Sequence, residues 1–197
     1  MRVISGKYRG QHLVSFQAQH IRPTTDRVKE TLFNKLAFEA NLVRVLDLFC
    51  GTGNLGIEAL SRGAEFVTFV DAHKQSIQIT RENLIKLKVP KAEFVVIQKD
   101  VLSFLRQYEG PTFDVIFADP PFTQKMAHDV MLGISESTAV GETTLITIES
   151  EQKERMDDQY QDLVRYDRRD FGDKVLSFFC KESQIGKETD SEGDSEG

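Results

Sequence analysis

The residues best suited to chemistry in this chain are Asp119-Pro120-Pro121-Phe122, which follow the apolar run Phe113–Ala118. Such a run reads as a buried strand entering a turn. A carboxylate, a proline carbonyl and an aromatic ring would then project together from one strand end. That set can grip an exocyclic amine on a flat heterocycle. The amine donates to the Asp119 carboxylate and the Pro120 carbonyl, and Phe122 stacks on the ring. Proline has a restricted φ and no N–H, so the turn is stiff and its carbonyls stay open to donors. A rigid turn carrying a solvated acid would use the same four residues, so the neighbouring elements must decide.

The decisive neighbour is Val45-Leu-Asp47-Leu-Phe49-Cys-Gly51-Thr52-Gly53-Asn-Leu-Gly56-Ile-Glu58. Here an apolar strand runs into a glycine-rich turn and then a helix. The spacing G-x-G-x-x-G invites a dinucleotide reading, with a pyrophosphate at the helix N-terminus. Asp47 argues otherwise. A carboxylate four residues before Gly51 repels a pyrophosphate but suits a cation, such as the amino-acid end of S-adenosylmethionine. Asp71, closing the run Phe66–Val70, is placed to accept from both ribose hydroxyls. Asp100, after Phe94–Gln98, is placed beside the adenine amine. With Phe49, Gly51, Thr52 and Gly53 of the loop, and Val101 next to Asp100, these acids make the expected cofactor-binding set. Asp47, Asp71, Asp100 and Asp119 each end a predicted strand, where ligands of open α/β sheets bind.

The glycine loop and Asp-Pro-Pro-Phe resemble motifs I and IV of class I S-adenosylmethionine-dependent methyltransferases that modify exocyclic amines. Met1-Arg-Val-Ile-Ser-Gly-Lys7-Tyr8-Arg9-Gly10 and Ile21-Arg22-Pro-Thr24-Thr-Asp-Arg27-Val-Lys-Glu-Thr-Leu-Phe-Asn34 are similar to the bacterial 16S rRNA (guanine-N2)-methyltransferase family, the small-subunit methyltransferase D type. Arg169–Phe179 resembles that family's closing strands, so the similarity covers about residues 1 to 181. It implies methyl transfer to the N2 amine of a guanine in 16S rRNA (guanine 966 is the family's usual target), within an assembled or assembling 30S subunit. It also places the segment at Arg22–Arg27 beside the cofactor and the substrate entrance. On that basis Arg22 and Arg27 make RNA phosphate or cofactor-proximal contacts, and Thr24 lies near the methionine end of the cofactor. Asp71 stands where the family often has glutamate.

The choice of guanine comes from the resemblance alone, because the same turn serves adenine N6. An adenine-N6 methyltransferase on DNA or RNA is therefore the alternative. A non-catalytic, cofactor-binding RNA assembly factor is the rival from another class, although it leaves Asp119 and Phe122 without a purpose. A dehydrogenase leaves Asp47 and the double proline unexplained.

The elements that must position these residues follow from periodicity. From Leu42 onward apolar runs alternate with helical patterns near 54–62, 73–88, 101–107 and 124–136, which predicts βαβ units and a mostly parallel sheet. Thr144–Glu149 is a further strand, and 163–170 with 174–181 an antiparallel closing pair. The expected fold is a Rossmann-like α/β methyltransferase domain over 22–183 with a seven-stranded sheet. A basic hairpin extension (1–21) precedes it and a disordered acidic tail (184–197) follows. A helix beginning near Thr24 or Thr25 should bury Val28, Leu32, Phe33, Leu36 and Ala37.

Charge sharpens this division. The chain of 197 residues carries a net −6, yet residues 1–44 hold eight Lys and Arg against three acids, and residues 186–197 hold one lysine against five acids. A basic N-terminal face suits RNA phosphate. Lys7, Tyr8 and Arg9 are its expected contacts, with Tyr8 able to stack on a base or to pack inward. No apolar run approaches a membrane span, the two cysteines suggest reduced thiols in the cytoplasm, and the histidines show no metal-ligand spacing. A monomer without metal is expected.

Overall fold

The computed structural model describes residues 1–15, 26–40, 42–121 and 125–185. Arg22, Thr24, Thr25, Phe122 and the tail from residue 186 lie outside the described residues. After α1 (Asp26–Glu39), the chain alternates β1 (Arg44–Leu48), α2 (Asn54–Ser61), β2 (Phe66–Asp71), α3 (Lys74–Lys86), β3 (Phe94–Gln98), α4 (Val101–Arg106), β4 (Phe113–Ala118), α5 (Ala127–Ser135) and β5 (Val140–Glu151). Antiparallel β6 (Gln159–Tyr160), β7 (Leu163–Phe171) and β8 (Lys174–Lys181) complete one sheet of order β3-β2-β1-β4-β5-β8-β7-β6. The first five strands are parallel, and β8 pairs antiparallel with β5. The architecture is the expected Rossmann-like α/β one, with eight strands rather than seven. The additional strand is the two-residue β6 on the outer edge, too short to produce an alternation in sequence.

Central strands read as continuous apolar runs because both faces of the sheet are covered. Along β4, Val115 and Phe117 enter one core with Val45, Val67, Phe69, Phe33 and Ile57. Ile116 and Ala118 enter the other with Leu46, Leu48, Val70, Val130 and Ile134. Helices α1, α2 and α3 thus cover one face, and α4 and α5 the other. α1 buries Val28, Leu32, Phe33 and Leu36 as its spacing predicts. It also buries Lys29, while Ala37 is exposed. α5 starts at Ala127, later than the expected 124.

The N-terminal extension forms a hairpin-like pair in which Arg2 bridges His12, Val3 N–H donates to Gln11 O and Gly10 N–H donates to Val3 O. At the other end of the chain, a 3-10 turn over Glu182–Gln184 continues the folded part beyond the expected boundary, with Gln184 Nε2 donating to Glu142 O at 2.6 Å. Among the described residues, no helix is long and apolar enough to cross a membrane.

Candidate active site

The strand order reverses between β1 and β4, whose last residues Leu48 and Ala118 are paired. Such a reversal opens a crevice beyond the carboxyl ends of the two strands. The glycine loop leaves β1 there, and the Asp119-Pro120-Pro121 turn leaves β4. They are stitched together, with Asp119 N–H donating to Leu48 O at 3.4 Å. Asp119 is half-buried and Pro120 buried.

The loop turns through three left-handed residues, Phe49 (φ 58°), Gly51 (φ 54°) and Gly53 (φ 77°). Phe49 is the unusual member, because a bulky side chain in this region costs on the order of 1–3 kcal/mol that surrounding contacts must offset. Its half-exposed ring packs against the α4/α5 core. The third glycine of the spacing serves packing. A Cβ on Gly56 would lie 2.3 Å from Phe69 Cε1, so α2 can approach β2 only because no side chain intervenes.

Three carboxylates converge on the crevice. Asp47 is 2 % exposed and its Oδ2 accepts from Gly56 N–H at 2.8 Å, so a strand residue caps α2, which has no capping side chain of its own. Burial raises the Asp47 pKa from 3.8 to about 7; the Gly56 bond opposes this, and the charges of Asp119 and Asp71 add to it. Asp71 accepts from Gly51 N–H (3.0 Å) and His73 N–H (2.8 Å), which ties the loop to the end of β2 and uses one lone pair on each oxygen. Asp100 stands apart from this trio. It is exposed and caps α4, accepting from Ser103 N–H at 2.8 Å. Val101, the other expected cofactor-binding residue here, is 1 % exposed, with its side chain within the apolar core. It follows the helix cap directly, so its side chain falls on the buried face of α4.

A second layer, which no motif in the sequence announces, holds the loop. Thr80 Oγ1 donates to Gly51 O (3.0 Å) and Asn83 Nδ2 to Thr52 O (3.0 Å), both from α3. Asn83 also pairs with Val14 through its Oδ1 and Nδ2, joining the N-terminal extension to the same loop. Thr52 Oγ1 points to Met1 Sδ at 3.3 Å. The available signal was Ser76, Thr80 and Asn83 recurring at helical spacing among the apolar residues of α3.

Charge bookkeeping along the chain does not translate into an equally basic surface. Lys29 is fully buried, with its ammonium donating to Arg2 O (2.7 Å) and Asn54 Oδ1 (2.8 Å) and paired with Glu58 at 3.0 Å. Burial lowers the Lys29 pKa, which the Glu58 charge partly counters. Glu58 in turn accepts from Ile4 N–H, Ser5 N–H and Arg62 Nε. Lys35 pairs with Glu39 and Asp167, Arg2 with Asp26, and the Arg44 guanidinium lies over Phe66 and Phe113. Tyr8 is 8 % exposed and belongs to the core, so it packs inward rather than offering a stacking face. Lys7 and Arg9 are exposed, but the Lys7 and Tyr8 N–H groups bond to Ser61 at the far end of α2. An eight-residue helix rises ~12 Å, so the structure does not bring this turn together with Asp119. Arg27 is exposed in the first turn of α1.

The residues present fit a cation-bearing ligand. A buried carboxylate at a helix N-terminus, disfavoured as an anion by two neighbouring carboxylates, regains a reason to be charged when a positive group arrives. The amino-acid end of S-adenosylmethionine supplies such a group.

The chain is similar to known proteins along most of its length. The family described as "Conserved hypothetical protein 95" matches residues 1–180. The ribosomal RNA small subunit methyltransferase D of Haemophilus influenzae is 40% identical over 153 residues, which span 77% of this chain and 79% of that one. YlbH of Bacillus subtilis, described as a candidate rRNA methyltransferase, is 35% identical over 184 residues, covering 92% and 99% of the two chains. Among solved structures, the candidate methyltransferase yhhF of Escherichia coli superposes with a TM-score of 0.81 at 30% identity over 93% of this chain and 99% of that one.

Proposed function

The chain belongs to the family described as conserved hypothetical protein 95, and from that premise we propose that it transfers a methyl group from S-adenosylmethionine to the exocyclic N2 amine of a guanine in 16S rRNA. The observation that carries the reading is the juxtaposition of the Asp119-Pro120 turn, bonded to Leu48 at the end of β1, with the buried Asp47 of the same strand. The similarity to small subunit methyltransferase D proteins supports the RNA substrate, and a ribosomal substrate makes the protein cytoplasmic.

S-adenosylmethionine supplies an activated methyl group, so the protein needs no nucleophile of its own. Asp47 faces its cationic end, and Asp71 and the Gly51–Gly53 backbone hold its ribose and loop-side groups. Asp119 and the Pro120 carbonyl accept from the target amine and aim its nitrogen lone pair. Asp119 or a water takes the proton released on transfer. Guanine N2 is a poor nucleophile because its lone pair is delocalised into the ring, which makes orientation the larger contribution. Removing the base from its stack costs a few kcal/mol, and Phe122 is the residue suited to offset part of it by stacking.

The test offers tritiated S-adenosylmethionine with 16S rRNA, 30S particles lacking the modification, and duplex DNA, followed by nucleoside analysis. N2-methylguanosine in rRNA or 30S is the expected product. N6-methyladenine would keep the site chemistry but overturn the base assignment, and cofactor binding without any transfer would favour a non-catalytic assembly factor.

A further inference from the structure

The connection from β4 to α5 carries the amine-binding turn, and the structure holds it at both ends. At its start, Asp119 N–H donates to Leu48 O of β1. At its end, α5 begins without a capping side chain, since Met126 in the N-cap position makes no side-chain bond. The acceptor comes from 27 residues downstream: Glu154 Oε1 accepts from Ala127 N–H at 2.8 Å. The other oxygen, Oε2, accepts from Glu151 N–H at 3.2 Å, and Glu154 N–H returns a bond to Glu151 O at 3.0 Å. One carboxylate therefore closes the turn that leaves β5 and fastens it to the first turn of α5. Tyr160 reinforces the join. Its hydroxyl accepts from Asp157 N–H (2.9 Å) and meets His128 Nδ1 of α5 at 3.0 Å, while its ring is buried beside Phe179.

We propose that Glu154 is a positioning residue for methyl transfer, fixing where the β4–α5 connection ends and so holding Asp119 and Pro120 against the target base. The inference rests on the function proposed above. A carboxylate at a helix N-terminus is held both by the hydrogen bond and by the helix dipole, so the clasp is directional as well as attractive. Among the described residues, none of its hydrogen bonds reaches the glycine loop, Asp47 or Asp71. Its loss should therefore separate turnover from cofactor binding.

The test uses the full chain with the RNA substrate that the wild-type protein methylates. Turnover, RNA KM, cofactor Kd by calorimetry and amide exchange at Ala127 are measured for Glu154→Ala and Glu154→Gln. Glu154→Ala should lower kcat about tenfold or more, because small misplacements of reacting groups cost rate steeply. Cofactor Kd should stay within about twofold, and exchange at Ala127 should rise. Glu154→Gln keeps an amide oxygen that can accept from Ala127 N–H, and should recover most of kcat. Unchanged kcat in Glu154→Ala overturns the inference. So does a fall in kcat matched by an equal loss of cofactor affinity, or a lowered melting temperature with no selective loss of turnover. Absence of transfer by the wild-type protein overturns the proposed function and this inference with it, whereas an active wild type with an indifferent Glu154→Ala variant overturns the inference alone.

Discussion

Replacing Asp47 with asparagine should stabilise the free protein and weaken its cofactor binding at the same time. The substitution keeps the shape and leaves an amide oxygen to accept from Gly56 N–H, now 2.8 Å from Asp47 Oδ2. It removes a charge that folding buries beside Asp71 and Asp119. The Asp47 pKa rises from 3.8 to about 7 on folding, so between those values the folded state binds a proton that the unfolded state has released. Wild-type stability therefore falls as pH rises through that window. The full shift corresponds to about 4 kcal/mol above pH 7. Urea unfolding of both proteins should show the asparagine variant more stable by up to about 4 kcal/mol at pH 8, with the gap closing toward pH 4. Calorimetry at pH 8 should show cofactor affinity reduced by about 30-fold or more, from a lost buried charge pair of roughly 2 kcal/mol. A variant less stable than wild type at pH 8 would show that burial does not penalise the Asp47 charge, and one binding the cofactor equally well would show that this charge does not meet the cofactor.

Other expectations test separate parts of the structure. Asp119→Ala should nearly abolish turnover in the tritium assay and leave cofactor affinity within a few-fold, since it removes an acceptor for the target amine rather than a cofactor contact. Gly56→Ala places a Cβ 2.3 Å from Phe69 Cε1, and denaturant unfolding should show a loss of about 1–3 kcal/mol from overpacking. Lys29→Met leaves the fully buried Glu58 with less compensation. It should cost on the order of 3–5 kcal/mol, and Lys29→Met/Glu58→Gln should recover part of that loss in the same measurement. Lys7→Ala/Arg9→Ala should alter RNA KM and its salt dependence while leaving kcat and cofactor Kd unchanged, because that turn docks at the far end of α2.

The alternating βαβ order, the strands that carry Asp47 and Asp71 and the strand that leads into Asp119 were readable from the chain alone, as were the residue types expected of a cation-binding loop and an amine-binding turn. These were legible because apolar periodicity, glycine spacing and proline act locally, within the reach of one or two elements. Which polar residues find partners emerges only when the elements pack. Lys29 counts as one more basic residue in a basic stretch until α1 meets α2, where it becomes the buried partner of Glu58. Tyr8 offers the same letter for stacking or for packing, and the docking of the hairpin on Ser61 chose packing. Asp100 shares the strand-end pattern of the other acids, yet its side chain is turned to capping α4. Thr80, Asn83 and Glu154 support the site from 29, 31 and 27 residues away in sequence. Helical spacing marks Thr80 and Asn83 as polar residues on a buried face, but nothing in the chain names their partners, because the register of such bonds is set by how the helices pack on the sheet.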